Sequence, residues 1–306
     1  MKVLLATAKP FAAEAVSGIR DILETAGHEM ALLEKYSGQQ ELAEAAASAD
    51  ALIVRSDKVT AEVIAASPKL RIVVRAGAGY DNIDLEAASS RGIVVMNTPG
   101  QNANAVAELA LAMMIYMART QFTPATGSEI AGKTVGIQAF GNVGRLVGAK
   151  AAALGMKVLA VDPFLSDGQI RDGGAQPVSS TEQLYASSDY VSIHIPATPQ
   201  TIGSIGYGLI SSMPHGATLV NTARKEVVDE AGLEKALEER PDLKYVADVA
   251  PDNYERLREK FGLRVFATPK KMGAQTAEAN VNAGLAAARQ IADFFSTGCT
   301  RYQVNK

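Results

Sequence analysis

Short apolar runs alternate with helix-like segments along nearly the whole of this 306-residue chain. In the first third, the runs that predict buried strands are Val3–Ala8, Ala51–Arg55, Arg71–Val74 and Val94–Met96. The segments that predict helices between them are Ala12–Ala26, Gln39–Ser48, Ala61–Ser67 and Leu85–Arg91. Such alternation is typical of a parallel sheet with helices on both faces.

A second series begins at Thr134. Six further strands are predicted at Thr134–Ala139, Lys157–Val161, Tyr190–Ile193, Thr218–Asn221, Tyr245–Ala247 and Val265–Ala267. The helices between them are predicted at Asn142–Leu154, Thr181–Ala186, Tyr207–Met213, Glu230–Glu239 and Tyr254–Phe261, and the polar stretch Ser166–Gly174 predicts a loop. Six strands with intervening helices match the strand count of a complete dinucleotide-binding sheet.

Two long helical segments, Ala103–Thr120 and Thr276–Ser296, flank the second series and are expected to be the passages between two domains. The predicted fold is therefore α/β, with two parallel doubly wound domains. A Rossmann-type nucleotide-binding domain (residues 99–279) would be inserted into a flavodoxin-like domain (residues 1–98 plus 280–306).

Composition and charge argue against several classes of protein. The net charge of −3 does not suit a dedicated nucleic-acid binder. The single cysteine, Cys299, forbids an internal disulfide, and three scattered histidines argue against a metal site. The apolar start is interrupted by Lys9 and Pro10, so it does not suit a signal peptide, and no run approaches the roughly 18–20 residues of a membrane span. A cytoplasmic location is expected.

A glycine-rich turn follows the strand that begins at Thr134. Ala139, Gly141 and Gly144 occupy the three positions of the G-x-G-x-x-G fingerprint. The middle glycine lets a pyrophosphate approach the positive end of the next helix, and the third allows that helix to pack closely on the strand. Asp162 ends the following strand, where a carboxylate accepts a ribose 2′-hydroxyl and repels a 2′-phosphate. The sequence therefore predicts a site for NAD rather than NADP.

An ordered set of motifs resembles the D-2-hydroxyacid dehydrogenase family over essentially the whole chain. These motifs are Ala51–Ser56, Arg75–Gly79, Tyr80–Asp84, Asn97–Gly100, Asn102–Glu108, the turn at Gly141, Asn221–Arg224 and Asp248. The resemblance implies an NAD-dependent enzyme with a cleft between its domains and a homodimeric assembly. It also implies that the flavodoxin-like domain binds the substrate. Because the sequence stops at Lys306, the C-terminal regulatory domain of some members is expected to be absent.

The resemblance also implies roles for individual residues. Arg224 matches the catalytic arginine, whose guanidinium would hold the substrate carboxylate and the C2 oxygen. His194, together with Pro196, is assigned to cofactor contact rather than to base catalysis, and Asp248 to the nicotinamide carboxamide. The other positions implied to line the cofactor are Asn142, Val143, Thr201, Thr222, Ala223, Gly273 and Ala274. Lys225 is a departure, because the family usually has glycine there, and it adds positive charge.

The proton shuttle of the family, a histidine held by a glutamate, has no counterpart here. The stretch that would carry the histidine is Thr268–Thr276, TPKKMGAQT, and Asn253 stands where the glutamate belongs. Alignment on Met272–Ala274 puts Lys271 at the histidine position. A neutral amine can accept the hydroxyl proton, an ammonium can return it, and neither needs a glutamate. We hypothesise that Lys271 is the acid/base; Lys270, or neither lysine, are the alternatives.

Arg55 and Arg75 stand at the ends of two adjacent predicted strands. Together with Ser56 and the backbone at Ala76 and Gly77, they form a candidate substrate-binding group, since two arginines suit a dianionic phosphate and backbone N–H groups can bind a carboxylate. The alternative is that both arginines are ordinary strand-end charges. The predicted activity is NAD-dependent oxidation of a phosphorylated D-2-hydroxy acid. A glycerate- or hydroxypyruvate-type dehydrogenase and a non-catalytic NAD(H)-sensing protein are the alternatives.

Overall fold

The computed structural model describes residues 1–305, which cluster into two compact units. The first unit consists of Met1–Asn102 and the C-terminal segment from Gln275, and the second is Ala103–Ala274. Within the described residues, no helix combines the length and the apolar character that a membrane crossing requires.

The first unit contains a five-stranded parallel sheet in the order β2-β1-β3-β4-β5. Its strands are β1 (Lys2–Thr7), β2 (Glu29–Glu34), β3 (Ala51–Val54), β4 (Ile72–Arg75) and β5 (Val94–Asn97). The helices that follow β1 to β4 are α1 (Ala13–Thr25), α2 (Gln39–Ala46), α3 (Ala61–Ala65) and α4 (Leu85–Ser90), and the last helix of the chain, α12 (Ala277–Thr297), joins this unit. This strand order confirms the flavodoxin-like prediction.

Helix α12 packs beside α1 and over β3 and β4. Close approach of the two helices requires small residues at the crossing, because a Cβ on Gly18 would lie 2.6 Å from the Leu285 side chain and one on Gly284 would lie 2.8 Å from Ile19. Buried apolar side chains on both helices, among them Leu23 and Ile291, complete this face of the core.

Strand β2 has no counterpart among the predicted strands. Its sequence, EMALLE, begins and ends with glutamate and contains no β-branched or aromatic residue, so it lacks the composition that marks a strand. Only Met30 in this strand is fully buried, because β2 lies at the edge of the sheet.

The second unit contains a seven-stranded parallel sheet in the order β12-β11-β10-β9-β6-β7-β8. Its strands are β6 (Thr134–Gln138), β7 (Lys157–Val161), β8 (Gln176–Pro177), β9 (Tyr190–Ile193), β10 (Thr218–Asn221), β11 (Lys244–Ala247) and β12 (Val265–Ala267). Its helices are α5 (Ala103–Ala118), α6 (Asn142–Ala153), α7 (Asp167–Asp172), α8 (Thr181–Ala186), α9 (Tyr207–Ser211), α10 (Glu230–Glu239) and α11 (Tyr254–Phe261). Apolar cores lie on both faces of the sheet.

Two elements of this unit differ from the prediction. Strand β8 is absent from the prediction, because its two residues are too few to show a periodic pattern. The predicted loop at Ser166–Gly174 is wrong, because Asp167–Asp172 forms α7. Ser166 and Gln169 form a capping box there: the Ser166 hydroxyl accepts the Gln169 N–H at 3.3 Å, and Gln169 Oε1 accepts the Ser166 N–H at 2.9 Å.

Candidate active site

Each of six strands in the second unit is followed directly by a residue of interest. In the order of the sheet these are Thr268 after β12, Asp248 after β11, Thr222 after β10, His194 after β9, Ala139 after β6 and Asp162 after β7. Because all the strands are parallel, these six residues lie along one edge of the sheet. The strand order reverses between β9 and β6, and ligands bind at such a point in open α/β sheets.

The glycine turn between β6 and α6 leaves the N-terminus of the helix accessible. A Cβ built on Gly141 would meet nothing within 4 Å, and no side chain caps α6 at this residue. Packing within the protein therefore does not explain the glycine, whereas a ligand approaching the free N–H groups would. Gly144 is different, since a Cβ there would lie 2.3 Å from the Ala139 carbonyl oxygen.

Ala139 occupies a backbone conformation that usually belongs to glycine. Its φ is +73°, in the left-handed region, where the Cβ of an L-residue crowds the following carbonyl at a cost of about 1–2 kcal/mol. The turn at the first fingerprint position is thus made by a strained alanine.

Asp162 ties the glycine turn to the end of β7. Its Oδ2 accepts the Phe140 N–H at 2.8 Å and its Oδ1 accepts the Phe164 N–H at 2.9 Å. Each carboxylate oxygen keeps a lone pair, so the group can still accept a hydroxyl from a ligand.

His194 is half-buried, and its Nε2 lies 2.9 Å from the Ser192 hydroxyl. Desolvation of the ring lowers the pKa of His194 to about 4, so the imidazole is neutral at pH 7. The loop after it is held by Thr201, whose hydroxyl donates to the Pro196 carbonyl at 2.5 Å and accepts the Thr198 N–H at 2.8 Å.

Asn221 shapes the segment that presents Arg224. Its Nδ2 donates to the Arg224 carbonyl at 2.9 Å and its Oδ1 accepts the Ala223 N–H at 3.0 Å, which closes a tight turn after β10. The Thr222 hydroxyl in this turn is buried and has no hydrogen-bond partner among residues 1–305. The ammonium of Lys225 forms an ion pair with Asp252, which raises the pKa of Lys225 and balances the positive charge expected there.

Asp248 anchors the loop that carries the two lysines. The residue is 1% exposed; its Oδ1 accepts the Met272 N–H and its Oδ2 the Gly273 N–H, both at 2.8 Å. The Thr268 hydroxyl also reaches Oδ1, at 3.1 Å. Gly273 is required for this contact, since a Cβ would lie 2.8 Å from Asp248 Oδ2. Lys270 and Lys271 are exposed on the loop between these attachment points.

Sequence reasoning assigned Asp248 only to the cofactor and missed its hydrogen bonds to the loop that carries Lys270 and Lys271. The local signal was slight: an acidic residue directly after a buried strand, where an unpaired carboxylate would be costly. The hydrogen-bonding partners lie 24 and 25 residues further along the chain, and the sequence alone does not pair them.

In the first unit, the candidate substrate residues lie at the carboxyl ends of the paired strands β3 and β4. Gly77 has a φ of +150°, and a Cβ on it would lie 1.5 Å from Arg75 Nη1, so the guanidinium of Arg75 rests directly on this glycine. Arg55 lies over the Phe11 ring, 5.8 Å from its centroid, and donates to Gln275 Oε1 at 3.5 Å. Ser56 is exposed beside it.

The loop Ala76–Gly79 is attached to the end of β5. The Asn97 side chain donates from Nδ2 to the Ala78 carbonyl at 2.6 Å, and the Thr98 N–H donates to the Gly77 carbonyl at 2.9 Å. The first unit thus brings Arg55, Ser56, Arg75, Ala76 and Gly77 to one edge of its sheet, and the second unit does the same for the residues assigned to a cofactor.

Comparison with known proteins places these features in a family. The model of the D-isomer specific 2-hydroxyacid dehydrogenase catalytic domain matches residues 7–305. The NAD⁺-bound 3-phosphoglycerate dehydrogenase of Entamoeba histolytica is 49% identical, with a TM-score of 0.89 over 100% of this chain and 99% of that one.

Two curated relatives are each 37% identical. One is D-3-phosphoglycerate dehydrogenase of Archaeoglobus fulgidus. The match covers 100% of this chain and 59% of that protein. The other is hydroxypyruvate reductase of Thermotoga maritima. The match covers 86% of this chain and 90% of that protein. The chain spans about half to three-fifths of the curated D-3-phosphoglycerate dehydrogenases that it matches. From the family match and these identities, the chain belongs to the D-isomer specific 2-hydroxyacid dehydrogenases.

Proposed function

We propose that the chain is an NAD-dependent dehydrogenase that oxidises D-3-phosphoglycerate to 3-phosphohydroxypyruvate, the reaction that opens serine biosynthesis. The observation that carries this most strongly is the 49% identity over the full chain to a 3-phosphoglycerate dehydrogenase crystallised with NAD⁺. A relative named D-3-phosphoglycerate dehydrogenase at 37% identity supports the same substrate.

The residues of the second unit fit NAD. The open backbone at Gly141 and the uncapped α6 N-terminus suit a pyrophosphate, with Asn142, Val143 and Gly144 supplying or flanking the N–H groups. Asp162 would accept the ribose hydroxyl. The remaining residues that we assign to this cofactor are Ala139, His194, Pro196, Thr201, Thr222, Ala223, Asp248, Gly273 and Ala274. When bound, NAD⁺ accepts the hydride that leaves C2 of the substrate.

Lys271 would move the proton. In oxidation its neutral amine accepts the proton of the C2 hydroxyl, and in reduction its ammonium donates that proton to the carbonyl oxygen. Arg224 would hold the substrate carboxylate and the C2 oxygen with its planar guanidinium, which keeps C2 in place while the bonds change. Asp248 holds the backbone on the C-terminal side of Lys271, and this limits the positions that the amine can occupy.

Arg55 and Arg75 would bind the phosphate of the substrate, with Ser56 and the backbone at Ala76 and Gly77 as further donors. A hydrogen bond to a charged group contributes about 1.5–3 kcal/mol, so two arginines favour the phosphorylated substrate by about 10²- to 10⁴-fold. A related hydroxy acid without phosphate would need neither guanidinium.

The decisive experiment for the substrate compares two 2-keto acids in the reductive direction by NADH absorbance. We expect kcat/KM for 3-phosphohydroxypyruvate to exceed that for hydroxypyruvate by at least a hundredfold. Equal values would favour the second candidate, a hydroxypyruvate reductase, which the Thermotoga maritima relative supports. NADH binding with no turnover of any 2-keto acid would instead indicate an NAD(H)-sensing protein.

We also propose that the enzyme is a cytoplasmic homodimer. Phe122, in the short 3-10 turn that follows α5, is 69% exposed and is an apolar side chain that a second copy would cover. Light scattering should give about twice the chain mass of 32.1 kDa, and a monomer at micromolar concentration would exclude the dimer.

A further inference from the structure

Gln290 is a polar side chain buried in the helix–sheet layer of the first unit. It lies on α12 and is 8% exposed, among buried residues of the same helix that include Ala287 and Ile291. Its Nε2 donates to the Asn97 carbonyl at 3.0 Å. Its Oε1 is buried and has no hydrogen-bond partner within the part of the chain described, residues 1–305.

The unpaired Oε1 makes a glutamine at this position unfavourable for stability in one respect. A buried acceptor without a partner lowers the free energy of unfolding, and an apolar side chain of similar size would avoid that cost. What the glutamine supplies, and leucine or methionine would not, is the N–H that it donates to Asn97.

That hydrogen bond is the first of a short series. Asn97, the last residue of β5, donates its own side-chain N–H to the Ala78 carbonyl at 2.6 Å, and the next residue, Thr98, donates its backbone N–H to the Gly77 carbonyl at 2.9 Å. Gly77 is the residue on which the Arg75 guanidinium rests. Gln290 is thus connected through the end of β5 to the loop beneath Arg75.

We propose that Gln290 is a positioning residue for substrate binding: by holding the Asn97 carbonyl, it sets the loop Ala76–Gly79 and the direction of the Arg75 guanidinium. This rests on the proposed function in one respect, namely that Arg75 binds the substrate phosphate. Gln290 itself does not touch the substrate.

The first test is Gln290→Met, which keeps the length of the side chain and removes the donor, followed by amide hydrogen exchange. Ser67→Ala is the matched control, because Ser67 is also buried in the first unit and loses a hydrogen bond, to the Val63 carbonyl, outside this series. We expect exchange at the Thr98 amide and at the loop Ala76–Gly79 to be about tenfold faster in Gln290→Met, as loss of one hydrogen bond predicts, and unchanged in Ser67→Ala. Unchanged exchange in Gln290→Met would overturn the proposal.

The second test is kinetic. Gln290→Met should raise KM for the phosphorylated substrate about tenfold, leave kcat within about twofold and leave NADH affinity unchanged, whereas Ser67→Ala should change neither kinetic constant. Gln290→Leu should behave like Gln290→Met, because neither side chain can donate to the Asn97 carbonyl. A fall in thermal stability with an unchanged KM would show a purely structural role and overturn the proposal. If the wild-type protein turns over no 2-keto acid, the proposed function fails, and hydrogen exchange still decides whether Gln290 holds the loop.

Discussion

The buried carboxylate of Asp248 accepts the backbone N–H of Gly273 at 2.8 Å and so joins the end of β11 to the loop that carries Lys270 and Lys271. A second bond of the same length, from the Met272 N–H, uses the other carboxylate oxygen. Together they restrain the backbone directly after Lys271. An acid that the family resemblance implies to contact the cofactor therefore also restrains the loop of the proposed acid/base.

Asp248→Asn tests this second role. The amide keeps one acceptor but presents an NH₂ group to a backbone N–H, so one of the two anchors is lost. We expect kcat to fall at least tenfold and the free energy of unfolding to fall by about 2 kcal/mol, the scale of a hydrogen bond to a charged group. Steady-state kinetics and urea unfolding measure both.

Asp252→Asn is the control for Asp248→Asn, because Asp252 is an exposed acid paired with Lys225. Such a surface pair contributes little to stability, so kcat and the free energy of unfolding should both stay near the wild-type values. If Asp248→Asn raises only KM for NAD and leaves kcat unchanged, Asp248 acts on the cofactor alone.

Ala139→Gly should stabilise the protein. Glycine adopts the left-handed φ of this position without strain, so the free energy of unfolding should rise by about 1 kcal/mol. Ala152→Gly, at an exposed position in the last turn of α6, is the control and should lower the free energy of unfolding slightly. The midpoints of urea denaturation of the two variants should move in opposite directions. A loss of stability in both would show that any strain at Ala139 is smaller than the entropic cost of glycine.

Most of the strand–helix order could be predicted from sequence, because buried parallel strands are short runs of branched apolar residues and helices carry apolar residues at helical spacing. The failures have physical causes. Strand β2 contains no β-branched residue, β8 has only two residues, and α7 is a six-residue helix with one buried apolar residue, Ile170, too few for a periodic pattern. The capping box of Ser166 and Gln169 was the readable signal for α7.

The candidate site could be predicted in part. Motifs in order along the chain single out Gly141, Asp162 and Arg224 as candidates, because each follows closely after a recognisable strand. Contacts between distant segments leave no local pattern, and the bonds from Asp248 to the lysine loop and from Gln290 to Asn97 are of this kind. The left-handed φ of Ala139 was also hidden, since alanine at that position gives no sign of strain.

His194 makes stability depend on pH. Its folded pKa of about 4 lies below its ordinary 6.5, so the folded state binds fewer protons than the unfolded state between these values. The stability that the neutral imidazole of His194 contributes is fully present above about pH 6.5 and is lost as the pH falls toward 4. Between pH 7 and 4.5 the loss from this one residue should be about 2 kcal/mol.

His194→Gln removes that titration. Unfolding by urea at several pH values should show wild type losing about 2 kcal/mol more than this variant over the same range. His215→Gln, an exposed position in a turn, serves as control and should follow wild type. Parallel curves for wild type and His194→Gln would contradict a neutral, desolvated imidazole.

Gly77→Ala should disable the phosphate site without affecting the cofactor. The new Cβ would occupy the place of the Arg75 guanidinium and would also be strained at a φ of +150°. KM for 3-phosphohydroxypyruvate should rise at least tenfold, with NADH affinity unchanged by fluorescence titration. Gly38→Ala, where a Cβ meets nothing within 4 Å, should leave KM unchanged. A normal KM in Gly77→Ala would remove Arg75 from substrate binding.

The most direct test of the central claim is the turnover of Lys271→Met compared with Lys270→Met, measured with saturating NADH and 3-phosphohydroxypyruvate. General acid–base catalysis contributes about 10²- to 10⁴-fold, so Lys271→Met should lose at least a hundredfold in kcat while NADH binds normally, and Lys270→Met should stay within a few-fold of wild type. A near-wild-type kcat in Lys271→Met, or a loss found only in Lys270→Met, would contradict the assignment of Lys271 as the group that moves the proton.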